Sequence, residues 1–103
     1  MDIKKYNKVI RDKIPEIIAE SGKKYNLKHL DDASFLAELE KKLIEEVNEY
    51  IESKDVEELA DLLEVICRIS ELRGVNSDEL DEIRKDKAEK RGRFANNLFL
   101  IDA

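Results

Sequence analysis

The sequence predicts an all-α fold, a small four-helix-type bundle built on an antiparallel helical hairpin and completed by oligomerisation. Three observations lead there. The 103 residues include only three Gly and one Pro, and aromatic side chains make up 6%, a profile that favours long helices over strands and turns. Apolar residues recur at three- and four-residue steps in successive segments bounded by capping and stop residues. The link between the two longest segments is short, which makes them neighbours running in opposite directions.

The elements follow in order. Residues 1–8 are basic and loosely patterned. In KVIRDKIPEIIAESG, Pro15 suits a first helical turn, Ile14, Ile17 and Ile18 give one face, and Gly22 is a stop, so a short helix is expected over 13–21. A polar connection follows, in which His29 has no partner and is expected at the surface. The second helix is expected from 32–34 to 52, with Leu36, Leu39, Leu43, Val47 and Tyr50 as its stripe. Ser53 and Lys54 break the pattern. Asp55, with Glu58 three residues on, forms a capping-box signature for a third helix that runs through Arg73 and stops at Gly74.

This third helix is the most apolar. Leu59, Ala60, Leu62, Leu63, Val65, Ile66, Cys67, Ile69 and Leu72 cover more than half its circumference, which predicts a central element packed on several sides. Ser77 is read as the cap of a fourth helix over 78–91, ended by Gly92. The tail RFANNLFLIDA is expected to pack as an extended segment. No repeat or low-complexity stretch interrupts the chain, which is read as one domain over 1–103. The core available to so short a chain is small, so a second copy is expected to help cover it.

Composition excludes several function classes. A hydrophobic fraction of 42% argues against disorder, although 43% of residues are charged. The net charge of −6 excludes nucleic-acid binding by general attraction to phosphates, so a phosphorylated ligand needs a local cationic cluster or a metal. Cys67 is the single cysteine, which rules out an internal disulfide, makes a reducing cytoplasm the default, and reads as a small buried hydrophobe rather than a nucleophile. No apolar signal region or run of membrane length is present, so a soluble protein without membrane partners is expected.

The chemistry-bearing feature is a pair of acid pairs, Glu46-x-x-Glu49 and Glu58-x-x-Asp61. Residues three apart share a helical face, and the hairpin brings the end of one helix to the start of the next, so four carboxylates converge. Asp61 lies within Leu59-Ala60-Asp61-Leu62-Leu63, where an isolated ionised carboxylate is costly. Two carboxylates at this spacing repel by about 3 kcal/mol at an effective dielectric of about 20. Between Leu43 and Glu64 the only base is Lys54, in the link, so a divalent cation is the simplest remedy. An all-oxygen set selects Mg²⁺, Mn²⁺ or Ca²⁺ over zinc, and Mg²⁺ suits phosphate chemistry, with Mn²⁺ as a substitute. The bland alternative is a solvated acidic face, common in a chain with 25 acids.

KLIEEVNEYIESKDVEELADLLEVI resembles the E-x-x-E … E-x-x-D signature of the all-α nucleotide pyrophosphohydrolases, a group that includes the MazG proteins and phosphoribosyl-ATP pyrophosphohydrolase. The segments KVIRDKIPEII and RKDKAEKRGRF are similar to the opening and closing of its short, MazG-related members, so the resemblance spans residues 5–100. It implies a helical bundle that dimerises or tetramerises around acidic Mg²⁺ sites. It also implies cleavage between the α- and β-phosphates of a nucleotide, releasing pyrophosphate and a monophosphate. Glu46 and Glu49 match the first motif, and Glu58 and Asp61 the second. Only eight residues separate Glu49 from Glu58, fewer than in many members, which tightens the hairpin and bears on metal number. Glu45 and Glu64 flank the motifs as candidates for outer positions or for orienting water.

Cationic candidates lie on the fourth helix, whose inward stripe continues as Leu80, Ile83, Lys87 and Arg91 with Arg84 alongside. Basic residues where apolar ones are expected can reach substrate phosphates; equally, they favour the dipole of a helix C-terminus. Arg11, Asp12 and Lys13 form a lesser candidate of the same kind. The expected activity is Mg²⁺-dependent nucleotide hydrolysis, including removal of non-canonical nucleotides. Its alternatives are the same chemistry on phosphoribosyl-ATP in histidine synthesis, and a non-enzymatic helical interaction or regulatory protein. A Ca²⁺ module is disfavoured because the acids lack the Gly-containing loop spacing of an EF-hand.

Overall fold

The computed structural model describes residues 4–103; the first three residues of the basic opening lie outside the described residues. Among the described residues there are four helices and no strand: α1 (Ile14–Glu20), α2 (Asp32–Ser53), α3 (Val56–Leu72) and α4 (Ser77–Arg91). Each boundary has a local cause. Pro15 sits in the first turn of α1. The Asp31 carboxylate accepts from the Ser34 N–H at 2.7 Å and starts α2, and Lys54 ends it in a left-handed conformation (φ 61°), donating its N–H to the Tyr50 carbonyl.

Two caps differ from the sequence expectation. Asp55 does cap α3, accepting from the Glu57 N–H at 3.0 Å, but no reciprocal bond from Glu58 completes a capping box. The Asp55 N–H donates instead to the Ser53 hydroxyl at 3.1 Å, which leaves the Glu58 carboxylate free to face α2. In α4 the cap is Asn76 rather than Ser77, its side-chain oxygen accepting from the Glu79 N–H at 2.9 Å. Both residue types cap well, and the bond to the N–H three residues on selects Asn76.

α2 and α3 form the most extensively packed pair, and α4 packs more lightly against α3. Glu40, early in α2, meets Arg73, just past α3, at 3.4 Å, whereas Glu46 lies with Glu58 and Asp61 from the first turns of α3. The facing stripe of α2 runs Leu36, Leu39, Leu43, Glu46 and Tyr50, and that of α3 runs Glu58, Asp61, Leu62, Val65, Ile69 and Leu72. Leu39 and Val65 are its buried apolar residues. Val47, placed on this stripe by the sequence, is 38% exposed, because the regular three-four alternation puts Glu46 in the seam instead.

One chain by itself does not close a four-helix bundle. α1 packs against none of the other helices, and the radius of gyration is 18.0 Å against about 13 Å for a compact chain of this length. α3 is accordingly not surrounded: Leu63 is 59% exposed, and Val56 and Leu59 are exposed beside it. Ile44 and Ile51 leave a matching bare stripe on α2. Cys67 is half-buried rather than buried. The tail does not pack as expected; Phe94 and the run Leu98–Ile101 are all at least 79% exposed. No helix among the described residues is long and apolar enough to cross a membrane.

Candidate functional site

The seam between α2 and α3 changes character along its length. At one end Leu36, Leu39 and Leu43 meet the apolar residues of α3; at the other the same stripes present Glu46, Glu58 and Asp61. Helical periodicity alone aims these three side chains inward, because each lies three or four residues from an apolar seam position. One carboxylate oxygen from each lies within 4.8 Å of the others. A second triad, Glu45, Glu46 and Glu49, meets the same criterion, so Glu46 belongs to both.

This arrangement refines the four-carboxylate set read from the sequence. Glu46, Glu58 and Asp61 come together across the two helices, whereas Glu49 joins Glu46 from along α2 and is not grouped with Glu58 or Asp61. The reason is geometric: Glu49 follows Glu46 by three residues on the same helix, while its own position lies at the edge of the seam. Glu45, a flanking residue in the sequence, belongs to the cluster; Glu64 is exposed outside it.

Glu46 is the unusual member. It is 4% exposed, the one buried charged residue among those described, and its Oε2 atom has no hydrogen-bond partner. Its Oε1 atom receives the Lys42 ammonium at 3.1 Å. An unsatisfied buried acceptor costs roughly 1–3 kcal/mol, and more when charged. The acids are also less bare of bases than the interval from Leu43 to Glu64 implied. Lys42, one turn before Glu46, bridges Glu45 at 3.3 Å and Glu46, and Arg11 donates to Asp61 Oδ1 at 2.6 Å from far earlier in the chain. Burial pulls the Lys42 ammonium down, but the hydrogen bonds and charges of Glu46 and Glu45 outweigh it and hold the group above its ordinary pKa.

Two cations against five carboxylates leave the cluster strongly negative. The residues present fit a divalent cation. The donor set is all oxygen; around Mg²⁺ neighbouring ligand oxygens stand about 3 Å apart and opposite ones about 4.2 Å, so the three carboxylates, now within 4.8 Å of one another, would have to draw in around an ion. The orphaned Glu46 oxygen supplies a lone pair that no group among the described residues uses. The signal for Glu46 was present in the sequence as the 36–39–43–46–50 alternation; the Arg11 contact had no local signal, since fifty positions separate the partners.

The α4 cations are placed differently. Arg84 is committed to Asp81, one turn back on its own helix, through contacts of 3.0 and 2.8 Å, and with Lys85 it holds that carboxyl below the usual range. Lys87 and Arg91 are exposed and form no ion pair among the described residues. The expected inward stripe therefore ends after Leu80, which is half-buried, while Ile83 is already 47% exposed. An apolar groove lined by Leu43, Ile66, Ile69, Val75, Leu80 and Ile83 lies toward the far end of α3 from the acids. No family model matches the chain, and no curated protein or solved structure matches it.

Proposed function

We propose that this chain is a Mg²⁺-dependent nucleotide pyrophosphohydrolase of the MazG-like type, with α2 and α3 forming an antiparallel hairpin that a second copy of the chain completes. The observation supporting this most directly is the buried Glu46 carboxylate, whose free oxygen lies in a seam with Glu58 and Asp61. A stability role for that carboxylate predicts both oxygens satisfied; a ligand role predicts one left open.

In this reading Glu46, Glu58 and Asp61 would hold the cation, and Glu49 would extend the set from the adjoining triad. A cation bound there would neutralise phosphate charge and lower the pKa of a water on it. Glu45, beside these ligands, accepts the proton of the attacking water, which reaches phosphorus in line with the departing pyrophosphate. Each turnover consumes one water and gives a nucleoside monophosphate and pyrophosphate. Lys87 and Arg91 are candidate contacts for the phosphates because neither is committed elsewhere, whereas Arg84 must first leave Asp81. Mn²⁺ is expected to substitute for Mg²⁺.

The bare stripes of α2 and α3 (Ile44 and Ile51, Val56 and Leu63) flank the acidic end and support a homodimer or homotetramer. The same exposure favours, as a second reading, a helical interaction protein without catalysis. A pyrophosphate-release screen with Mg²⁺ separates the two. Its panel includes canonical and non-canonical nucleoside triphosphates and phosphoribosyl-ATP, which also distinguishes a broad activity from the histidine-synthesis one. Asp61→Asn is expected to abolish release while leaving the helical signal intact; undiminished release by this variant removes Asp61 from the site.

A further inference from the structure

The basic segment ahead of α1 has no role in the reading above, and the structure puts one of its residues on the acidic seam. Arg11 Nη2 donates to Asp61 Oδ1 at 2.6 Å, the one ion pair that ties residues before α2 to the rest of the chain among the described residues. Asp61 is also one of the three carboxylates gathered with the open oxygen of Glu46. A guanidinium and a divalent cation on the same carboxylate repel each other, so each weakens the binding of the other there. The other base of the cluster, Lys42, is held between Glu45 and Glu46 with a largely buried side chain and is not available to a ligand.

We propose that Arg11 is the phosphate-binding arm of this site: it holds Asp61 when no cation is bound, and arrival of the cation transfers its guanidinium to an anionic oxygen of the substrate's diphosphate. Both side chains of the pair are about half exposed, so the exchange needs no opening of the core. The planar fork of Arg suits two oxygens of a phosphate, and the displaced side chain is already at the rim where the cation brings that group. Cation and arm thus oppose each other on Asp61, while both favour the diphosphate.

This inference rests on the cation-binding reading of the seam, and the test separates the two. The full-length wild type, Arg11→Gln and Arg11→Lys are titrated by calorimetry with Mg²⁺, and then with inorganic pyrophosphate under excess Mg²⁺; thermal denaturation is followed in parallel. Losing an exposed ion-pair competitor, Arg11→Gln is expected to bind Mg²⁺ about two- to fivefold more tightly. Losing a charged, forked contact, it is expected to bind pyrophosphate about tenfold more weakly or worse. Arg11→Lys keeps the competition for Asp61 and recovers only part of the pyrophosphate binding. Opposite shifts for the two ligands are the signature, because damage to the fold weakens both. If the wild type binds Mg²⁺ and Arg11→Gln binds pyrophosphate equally well, the arm is refuted alone; if the wild type shows no Mg²⁺ binding, the seam reading falls and the arm with it.

Discussion

Glu46→Gln separates a carboxylate kept for a ligand from one kept for the fold. Carboxylate oxygens of Glu45, Glu49, Glu58 and Asp61 stand within 4.8 Å of a Glu46 oxygen, and one ammonium, Lys42, stands 3.1 Å from Oε1. At 4.8 Å each like-charge pair costs about 0.9 kcal/mol in a water-like dielectric and about 3.5 kcal/mol at an effective value of about 20. The Lys42 attraction is about 1.3 kcal/mol on the water-like scale, so even there repulsion prevails by about 2 kcal/mol. Gln keeps the shape and an acceptor for Lys42 while removing the charge. Part of the repulsion persists in the unfolded chain between near neighbours, so the metal-free variant is expected to be more stable by about 1–2 kcal/mol. For a domain of this size each kcal/mol is worth about 4–8 °C in Tm. Thermal denaturation by circular dichroism at pH 7, with chelator and then with Mg²⁺, reads both halves: a higher Tm without metal, and loss of the Mg²⁺-induced rise. A variant less stable than the wild type under chelator, with the Mg²⁺ response intact, would show that Glu46 serves Lys42 and the fold.

Other consequences concern the scaffold and its titration. Leu39→Ala, at the buried centre of the apolar half of the seam, is expected to cost about 2–4 kcal/mol in urea unfolding; a loss under 1 kcal/mol contradicts that packing. Asn76→Ala is expected to lose about 1 kcal/mol and Ser77→Ala much less, and the reverse order returns the α4 cap to Ser77. Because the folded pKa of Lys42 lies above its ordinary value of 10.5, its stabilising contribution is complete below that pH and is lost as pH rises through the folded value. Tm measured from pH 9 upward should fall less steeply in Lys42→Met than in the wild type, and parallel curves count against the Glu45–Lys42–Glu46 arrangement. If a second copy covers the bare stripes, Ile44→Asp or Leu63→Asp shifts sedimentation at micromolar concentration toward the monomer, whereas a wild type that is itself monomeric removes the covering copy.

Where the helices lie was legible in the sequence because caps and stops act locally. Asp55 and Gly92, both legible as boundaries, cap or end a helix through bonds to residues within four positions, whereas the cap of α2 is Asp31, just ahead of the start expected at 32–34. The acids were legible for a related reason: an acid that falls in phase with Leu39 and Leu43 is turned inward by the helix itself. Phase is also sensitive to one residue: the hydrophobic stripe by itself puts Val47 in the seam that Glu46 occupies. Asn76 displaced Ser77 on a similarly small margin, the choice between two good caps resting on one hydrogen bond.

What remained to tertiary structure is whatever depends on distance through space. Glu46 joins Glu58 and Asp61 only because two helices pack in one register, and Glu49 drops out of that triad for the same reason. Arg11 reaches Asp61 across fifty positions, a pairing that no window of sequence contains. The apolar circumference of α3 foretold burial, yet a single chain has too few partners to provide it, and its outer stripe stays in solvent beside an uncovered tail. Periodicity fixes which way a side chain points along its own helix; only the packed chain, or two of them, decides what it meets there.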